Sequence, residues 1–387
     1  MSLDEIRGRY DVVIAGGRVA GAATALLLAR QGLRVLVVDP VPPQRDALST
    51  HALMRAGVVQ LHRWGLLDRI RAAGTPKIRT TVFHYGNDAI TIPIKASDGV
   101  DGLYAPRRRV LDPVLAEAAA EAGAQMAYGF AVADLVRDGE GRVIAAVVEG
   151  PGGRRSVAAE LVVGADGVRS RVARLVDAPI EHRGRHCCAT IYGYWPSPYP
   201  ESYHWYFADG GSAGLIDTND GFGCLFAALP ADDFARESRH GLDRLHRRIV
   251  ARVAPDLMPT VDAGPPAGRL RAFPGIPGFM RRSAGPGWAL VGDAGYFKDP
   301  ATAHGITDAL RDAELLAEAV VSPAAGALPV YQERRDAVAR GLHDVTDRIA
   351  SFQWDLDEVG ALHRTLNDEM NLGLDLVRSL ETASVPI

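Results

Sequence analysis

Short apolar runs along the chain alternate with stretches in which apolar residues recur at helical spacing. Tyr10 to Gly16 passes from polar to apolar and stops at a glycine, and small and aliphatic residues then recur at helical spacing from Ala20 to Arg30. This predicts a strand, a sharp turn and a helix. A second apolar strand, Arg34 to Asp39, ends in an acid. Two later segments repeat the design. Ala159 to Gly164 reads as a short buried strand that Ala165-Asp166-Gly167 turns toward a helix beginning near Ser170. Leu290-Val291-Gly292-Asp293 does the same ahead of Pro300, Gly305 and a helix from Ile306 to Val321. Thr80 to Ile94 and Arg183 to Leu229 read as β-rich, with Pro, Gly and Asp punctuation. After Pro329 the pattern becomes two helices, residues 330–354 and 356–381, joined near Asp355, with Val345, Ile349 and Phe352 on one face.

The first turn carries a mechanism. A helix N-terminus with unpaired N–H groups and a partial positive charge seats a pyrophosphate where the turn lets the backbone come close. Asp39 lies 23 residues after Gly16, placed to accept hydrogen bonds from an adenosine ribose with a free 2′-hydroxyl. The turn departs from G-x-G-x-x-G. Aligned on Gly16 and Gly21, with Gly17 and Ala20 between them, the second glycine position holds Arg18. Either the turn is widened and the guanidinium folds back as an extra phosphate ligand, or dinucleotide binding is weakened. The first reading is favoured, because a charge-assisted Arg–phosphate contact offsets lost backbone contacts.

Taken in order, Asp11 to Gly21, Val163 to Ser170 and Leu290 to Ala294 resemble the fingerprints of the FAD-dependent aromatic-hydroxylase-like (group A) flavoprotein monooxygenases, a family that includes geranylgeranyl-reductase-like and halogenase relatives. The resemblance runs over about the first 330 residues. It implies an α/β fold: an FAD-binding Rossmann-like βαβ domain of the glutathione-reductase type, a mixed or antiparallel β-sheet substrate domain, and C-terminal helices. The expected division is residues 1–75, 100–178 and 270–329 for FAD, 76–99 and 179–269 for substrate, and 330–387 for the helical element.

By the same resemblance Asp293, after Gly292, would bind the ribityl chain, and Asp166 and Gly167 would lie beside the pyrophosphate and a visiting NADH or NADPH. The loop from Pro300 through Gly305 and Ile306 to Thr307 would border the isoalloxazine, with the following helix N-terminus facing its pyrimidine end. Val132 falls where the family makes a backbone contact to adenine, and Arg108 where it has a phosphate-proximal arginine. The chain departs from the pattern at Ala173, where the family often has arginine, leaving Arg171 and Arg174 to either side. It departs again at Thr307, where asparagine is frequent. The first departure puts nicotinamide docking in question.

The central stretch is dense in aromatics, and strand alternation sets Tyr192 and Tyr194 on one face and His204 and Tyr206 on another. One face would roof the flavin. Ser49, His51 and Arg55 follow the ribose-binding strand and should come near the flavin, as should His304 beside Gly305. His51, Arg55, Tyr206 and His304 are the candidate catalytic residues. For each histidine a helix-capping or first-turn structural role stands beside the functional one.

Composition narrows the partners. The net charge is −4 with 23% charged residues, so no basic bias points to nucleic acid. The basic residues are almost all arginine, with Lys77, Lys95 and Lys298 as the lysines. Cys187, Cys188 and Cys224 lack paired metal spacing and read as buried thiols in a reducing compartment; no metal is expected. No run reaches membrane-spanning length, and the cytoplasm is the default location.

The expected activity is FAD- and oxygen-dependent monooxygenation of an aromatic or apolar, polycyclic or polyene-like small molecule through a flavin C4a-hydroperoxide. The alternative is an FAD-dependent reductase or dehydrogenase of the geranylgeranyl-reductase-like type. A halogenase-like enzyme ranks lower, since the Trp-x-Trp-x-Ile-Pro signature is absent and no lysine is expected near the central sheet. A homodimer and a separate flavin reductase are left open.

Overall fold

The computed structural model describes residues 3–323 and 326–380. The end of the second C-terminal helix as read from the sequence, residue 381, lies outside them.

Three sheets organise the chain. The largest has eight strands, and its core runs Trp288–Leu290, Gly153–Gly164, Arg9–Ala15, Val35–Asp39, Gln125–Tyr128, all parallel. The near-continuous apolar composition of these strands follows from their position, with helices on one face and a β-meander on the other. Val12, Ile14, Val35, Val37 and Val163 face the helix Val19–Arg30, while Val13, Leu36, Val38 and Val162 face the hairpin strands Ala131–Arg137 and Val143–Gly150. The sheet is revisited three times by distant chain segments, as the three fingerprints require.

The second sheet has seven strands in the order Arg271–Phe273, Cys188–Pro196, Phe222–Pro230, Gly211–Asp217, Ser202–Ala208, Thr80–Tyr85, Asp88–Pro93. Most neighbours are antiparallel; Ser202–Ala208 and Thr80–Tyr85 pair parallel. The hairpin Thr80–Pro93 thus completes a sheet whose other strands lie more than ninety residues later. Arg271–Phe273, read from sequence as part of the cofactor domain, hydrogen-bonds to Cys188–Pro196 at the edge of this sheet. One face of the sheet carries Tyr192, Tyr194, Tyr203, Trp205 and Phe207 into the main core; the other carries Ile191, Trp195 and Tyr206 toward the helix Leu242–Val253. That is the alternation the sequence predicts.

The third sheet has three antiparallel strands in the order Tyr296–Phe297, Phe279–Arg281, Ile180–Arg183. The C-terminal helices run Ala327–Ala350 and Leu356–Ser379, with Asp355 and Glu358 forming a reciprocal capping box at the start of the second. Val345, Ile349 and Phe352 are buried, as their spacing implies.

Candidate functional site

Gly16 ends the first strand with φ +102°, and a Cβ there would lie 2.4 Å from the Ala165 carbonyl oxygen. A Cβ at Gly21 would lie 1.8 Å from the Gly16 carbonyl oxygen. Only glycine lets the turn, the helix and the Ala165-Asp166-Gly167 segment come this close. The backbone therefore leaves a hollow at the N-terminus of Val19–Arg30, and this hollow opens into a cavity of about 760 Å³.

Most of the residues expected to touch the cofactor converge there: Gly16, Arg18, Ala20, Asp39, Ser49, Arg108, Val132, Asp166, Gly167, Asp293, Pro300, Gly305 and Ile306 all line it, as does His51. Gly17, Gly21, Gly292 and Thr307 stand one layer behind. Gly17 N–H donates to Asp39 Oδ2 at 2.8 Å, fixing the acid at the strand end. Val41 N–H donates to the other oxygen, also at 2.8 Å. Gly292 N–H donates to Asp312 Oδ2 at 3.2 Å, and Thr307 Oγ1 accepts from Met54 N–H at 3.1 Å.

Arg18 neither blocks the turn nor hangs free. It occupies the position before the helix with extended backbone, and its Nη1 donates to Asp112 Oδ2 at 3.1 Å. Arg108 holds the same carboxylate with Nε at 2.7 Å and Nη2 at 3.0 Å. Asp112 is fully buried, so two guanidiniums are held at the cavity wall around one anion. The three formal charges leave one net positive charge beside a helix N-terminus, an environment suited to phosphate.

Asp166 caps the helix Arg171–Leu175: its Oδ1 accepts from Ser170 Oγ at 2.5 Å and its Oδ2 from Arg171 N–H at 2.7 Å. Arg169 and Arg171 also line the cavity, and Arg171 Nη1 donates to the Val132 carbonyl at 3.3 Å. Burial pushes the Asp293 carboxyl up to about 6.

The Pro300–Thr302 turn, Ala303 at φ +50° and the helix Gly305–Val321 bring a 17-residue helix N-terminus to the cavity. Asp299 pins this loop to the substrate sheet. Its Oδ2 accepts from Cys188 N–H at 2.7 Å, and its Oδ1 from Cys188 Sγ–H at 3.0 Å and Ala301 N–H at 2.9 Å. Behind the loop is a buried ionic cluster. Asp308 pairs with Lys298, with Arg311 Nη1 at 2.8 Å and with His304 Nδ1 at 3.1 Å, and Arg311 Nη2 reaches Asp312 at 2.9 Å. Burial opposes ionisation of Asp308, but Lys298 and Arg311 hold its carboxyl far below the usual carboxylate range.

Three candidate catalytic residues do not line the cavity. Arg55 starts the helix Arg55–Arg63 and spends its guanidinium on the carbonyls of Val100 at 3.2 Å and Lys95 at 2.6 Å. Tyr206 lies on the far face of the seven-stranded sheet, stacked on His84 with ring centroids 3.9 Å apart. His304 turns from the cavity to Asp308. Lys298 corrects one expectation: it follows strand Tyr296–Phe297 and lines the cavity together with Thr190 and Tyr192 of the substrate sheet.

His51 is the candidate that remains. It is 1% exposed, has φ +72°, and its Nε2 lies 2.5 Å from the Tyr194 hydroxyl. Burial pushes its imidazole down to about 3, so the ring is neutral at physiological pH. The opposite wall is apolar and aromatic, with Thr190, Tyr192, Phe273 and Phe297. Tyr192 is joined to the cofactor side by Ser49 N–H, which donates to its hydroxyl oxygen at 3.2 Å.

The hollow at the glycine turn, the ribose-ready acid, the paired arginines and the helix N-terminus fit the dinucleotide and flavin parts of FAD. The FAD binding domain family matches residues 9–236. A menaquinone reductase from Mycolicibacterium smegmatis is 32% identical over 338 residues, covering 81% of this chain and 77% of that protein. A 6-methylpretetramide 4-monooxygenase from Streptomyces rimosus is 26% identical over 362 residues, covering 89% and 82%. Among solved structures, PqsL of Pseudomonas aeruginosa, a probable FAD-dependent monooxygenase, superposes with a TM-score of 0.77 at 23% identity, over 94% of this chain and all of that one. The turn at Gly16 to Gly21, the Asp166 and Asp293 loops and these matches have one explanation: the chain belongs to the FAD binding domain family and is an FAD-dependent oxidoreductase of the kind that includes reductases and monooxygenases.

Proposed function

We propose that this enzyme reduces an apolar small molecule carrying a conjugated double bond, of the polyene or quinone class. The observation that carries the reading is the wall of Thr190, Tyr192, Phe273 and Phe297 facing the cofactor hollow. The lysine beside it, Lys298, is ion-paired to Asp308, and among the described residues the cavity's arginines Arg169 and Arg171 belong to the Asp166 segment, not to this wall, which suits an apolar substrate better than a small acid. The relative named menaquinone reductase, more similar than the named monooxygenase, supports reduction over oxygenation.

Bound and reduced, FAD supplies a hydride. The chain's own residues hold and shield it. Arg18 and Arg108 would hold the phosphates, Asp39 the adenosine ribose and Asp293 the ribityl chain, and the N-terminus of Gly305–Val321 would stabilise negative charge on the flavin. Tyr192, Phe273 and Phe297 exclude water and set a planar substrate against the ring. NADH or NADPH is the proposed reductant; a separate flavin reductase is the variant of this scheme in which Arg169 and Arg171 dock no nicotinamide.

Hydroxylation with molecular oxygen is the second reading, favoured by the relative named 6-methylpretetramide 4-monooxygenase. One experiment separates the two. The FAD-loaded enzyme is reduced anaerobically with NADH and then NADPH and mixed with a prenylated naphthoquinone, with oxygen admitted last. Flavin reoxidation by the quinone before oxygen supports the reductase. Turnover that waits for oxygen and passes through a C4a-adduct absorbance sinks it in favour of the monooxygenase.

A further inference from the structure

The segment Ser49–His51 is held against the substrate sheet with unusual specificity. Ser49 N–H donates to the Tyr192 hydroxyl at 3.2 Å, Ser49 Oγ accepts from His51 N–H at 3.0 Å, and His51 adopts the left-handed conformation, φ +72°, that non-glycine residues rarely take. The result is a histidine ring placed 2.5 Å from the Tyr194 hydroxyl, with Tyr194 two residues beyond Tyr192 on the same face. His51 lines the cavity, and its Nδ1 is buried without a partner.

The direction of the His51–Tyr194 bond follows from counting. The neutral ring carries one N–H, and the Tyr194 hydroxyl meets no other hydrogen-bond partner among the described residues. If the ring donated to the hydroxyl, the tyrosine proton and the Nδ1 lone pair would both be buried unsatisfied. If the hydroxyl donates to Nε2, a single orphan remains, the Nδ1–H. Each buried orphan costs on the order of 1–3 kcal/mol, so the second arrangement wins. Arg107 completes the geometry. Its guanidinium carbon sits 3.8 Å from the centroid of the Tyr194 ring, and Asp46 anchors it as an ion pair. Burial pushes the Tyr194 hydroxyl above its usual range, and the Arg107 cation over the ring offsets part of that cost as the hydroxyl gives up its proton.

We propose that His51 and Tyr194 are the proton donor of this enzyme, with Nδ1–H of His51 offered to the substrate, Tyr194 resupplying Nε2, and Arg107 as the positioning residue over the phenol. The proposal rests on the reductase reading and sharpens it. The accepting π bond breaks as one atom receives the hydride from reduced FAD and the other receives the proton from Nδ1. Nε2 takes the Tyr194 proton, and solvent returns one to the phenolate. A neutral imidazole is a weak acid, so the pair suits a double bond conjugated to a carbonyl, where the added negative charge collects on oxygen. It does not suit an isolated alkene.

Two measurements test the pair. Nitrogen-15 NMR of the histidine-labelled holoenzyme reads the tautomer directly, with the His51 signal assigned by its loss in His51→Gln. The expected form is Nδ1–H, released toward a mixture in Tyr194→Phe; an Nε2–H ring in the parent overturns the proposal. In the anaerobic reoxidation by prenylated naphthoquinone, Tyr194→Phe should slow the step at least tenfold and alter its solvent deuterium isotope effect. FAD content and reduction by dithionite should stay unchanged. A variant with parental rate and isotope effect overturns the proposal. Should the parent itself fail to be reoxidised, the reductase reading falls, and the tautomer still decides whether a donor pair exists.

Discussion

Asp112 binds Arg18 and Arg108 at once, sharing Oδ2 between them, although Arg18 lies 94 residues away in sequence. The arginine at the second glycine position is thus tethered at the cavity wall, its side chain 28% exposed there. Arg18→Gly should weaken FAD binding roughly 10- to 100-fold, the worth of one charge-assisted hydrogen bond. Equilibrium titration with FAD checks this, and parental affinity would remove Arg18 as a phosphate ligand. Asp112→Ala should cost about 3–5 kcal/mol of folding stability, because it leaves two guanidiniums without their buried anion. Urea unfolding of the apoprotein reads that loss without the cofactor.

Gly21 does not line the cavity, yet a methyl group there has nowhere to go but into the Gly16 carbonyl. Gly21→Ala should destabilise the chain by about 3 kcal/mol and lower its FAD content on purification, whereas Gly32→Ala should leave FAD content at the parental level. Gly32 has open space around its missing Cβ and pays only for its positive φ of 80°. Flavin-to-protein absorbance ratios distinguish the two.

Asp293 has a carboxyl raised to about 6 by burial, so an amide of the same shape should serve better than a truncation. Asp293→Asn should bind FAD within about tenfold of the parent, and Asp293→Ala more weakly than Asp293→Asn by on the order of one hydrogen bond, about 1 kcal/mol. Equal affinities in the two variants would mean that this side chain does not meet the cofactor.

His246 is buried between the helix Leu242–Val253 and the sheet, stacked on Trp195 at 5.3 Å, and burial pushes its imidazole down to about 4. Its folded value lies below the unfolded one of about 6.5, so its contribution is fully present above that pH and is lost as pH falls toward 4. His204 and His363, also lowered to about 4 by burial, act in the same window. Asp299, raised to about 6, acts in the opposite sense, its contribution present at low pH and lost as pH rises through 6. In His246→Phe the fall of unfolding free energy between pH 6.5 and 4 should be shallower than in the parent. Parallel curves would show that His246 does not titrate on unfolding.

The cofactor half of this molecule is readable because its signals are local. Gly16, Asp166 and Asp293 each sit at a strand end, and the strand, turn and helix around each obey short-range rules. The alternation of Tyr192 and Tyr194 against Tyr206 is likewise a property of one sheet. What the sequence leaves open is tertiary. Arg55 and His304 stand at the right places along the chain, but their side chains are claimed by Val100 and Lys95 and by Asp308, choices set by packing. Tyr206 lies on the face that a later helix covers. Arg107 and Asp46 left no sequence signal, since neither belongs to a motif and their link to His51 runs through a tyrosine more than eighty residues away.

The order in which the parallel sheet takes up its strands sets a timetable for biosynthesis. Arg9–Ala15 emerges from the ribosome early, but its neighbour Gly153–Gly164 follows some 140 residues later, and Trp288–Leu290, which closes the sheet beside it, later still. Asp293 and the helix N-terminus at Gly305 come after that. At about 5–20 residues per second the nascent chain waits tens of seconds with the first glycine turn made and its partners missing. Flavin capture therefore waits until the segment through Gly305 has been made, and a cell short of FAD would meet this chain with an open apolar seam, a client for chaperones.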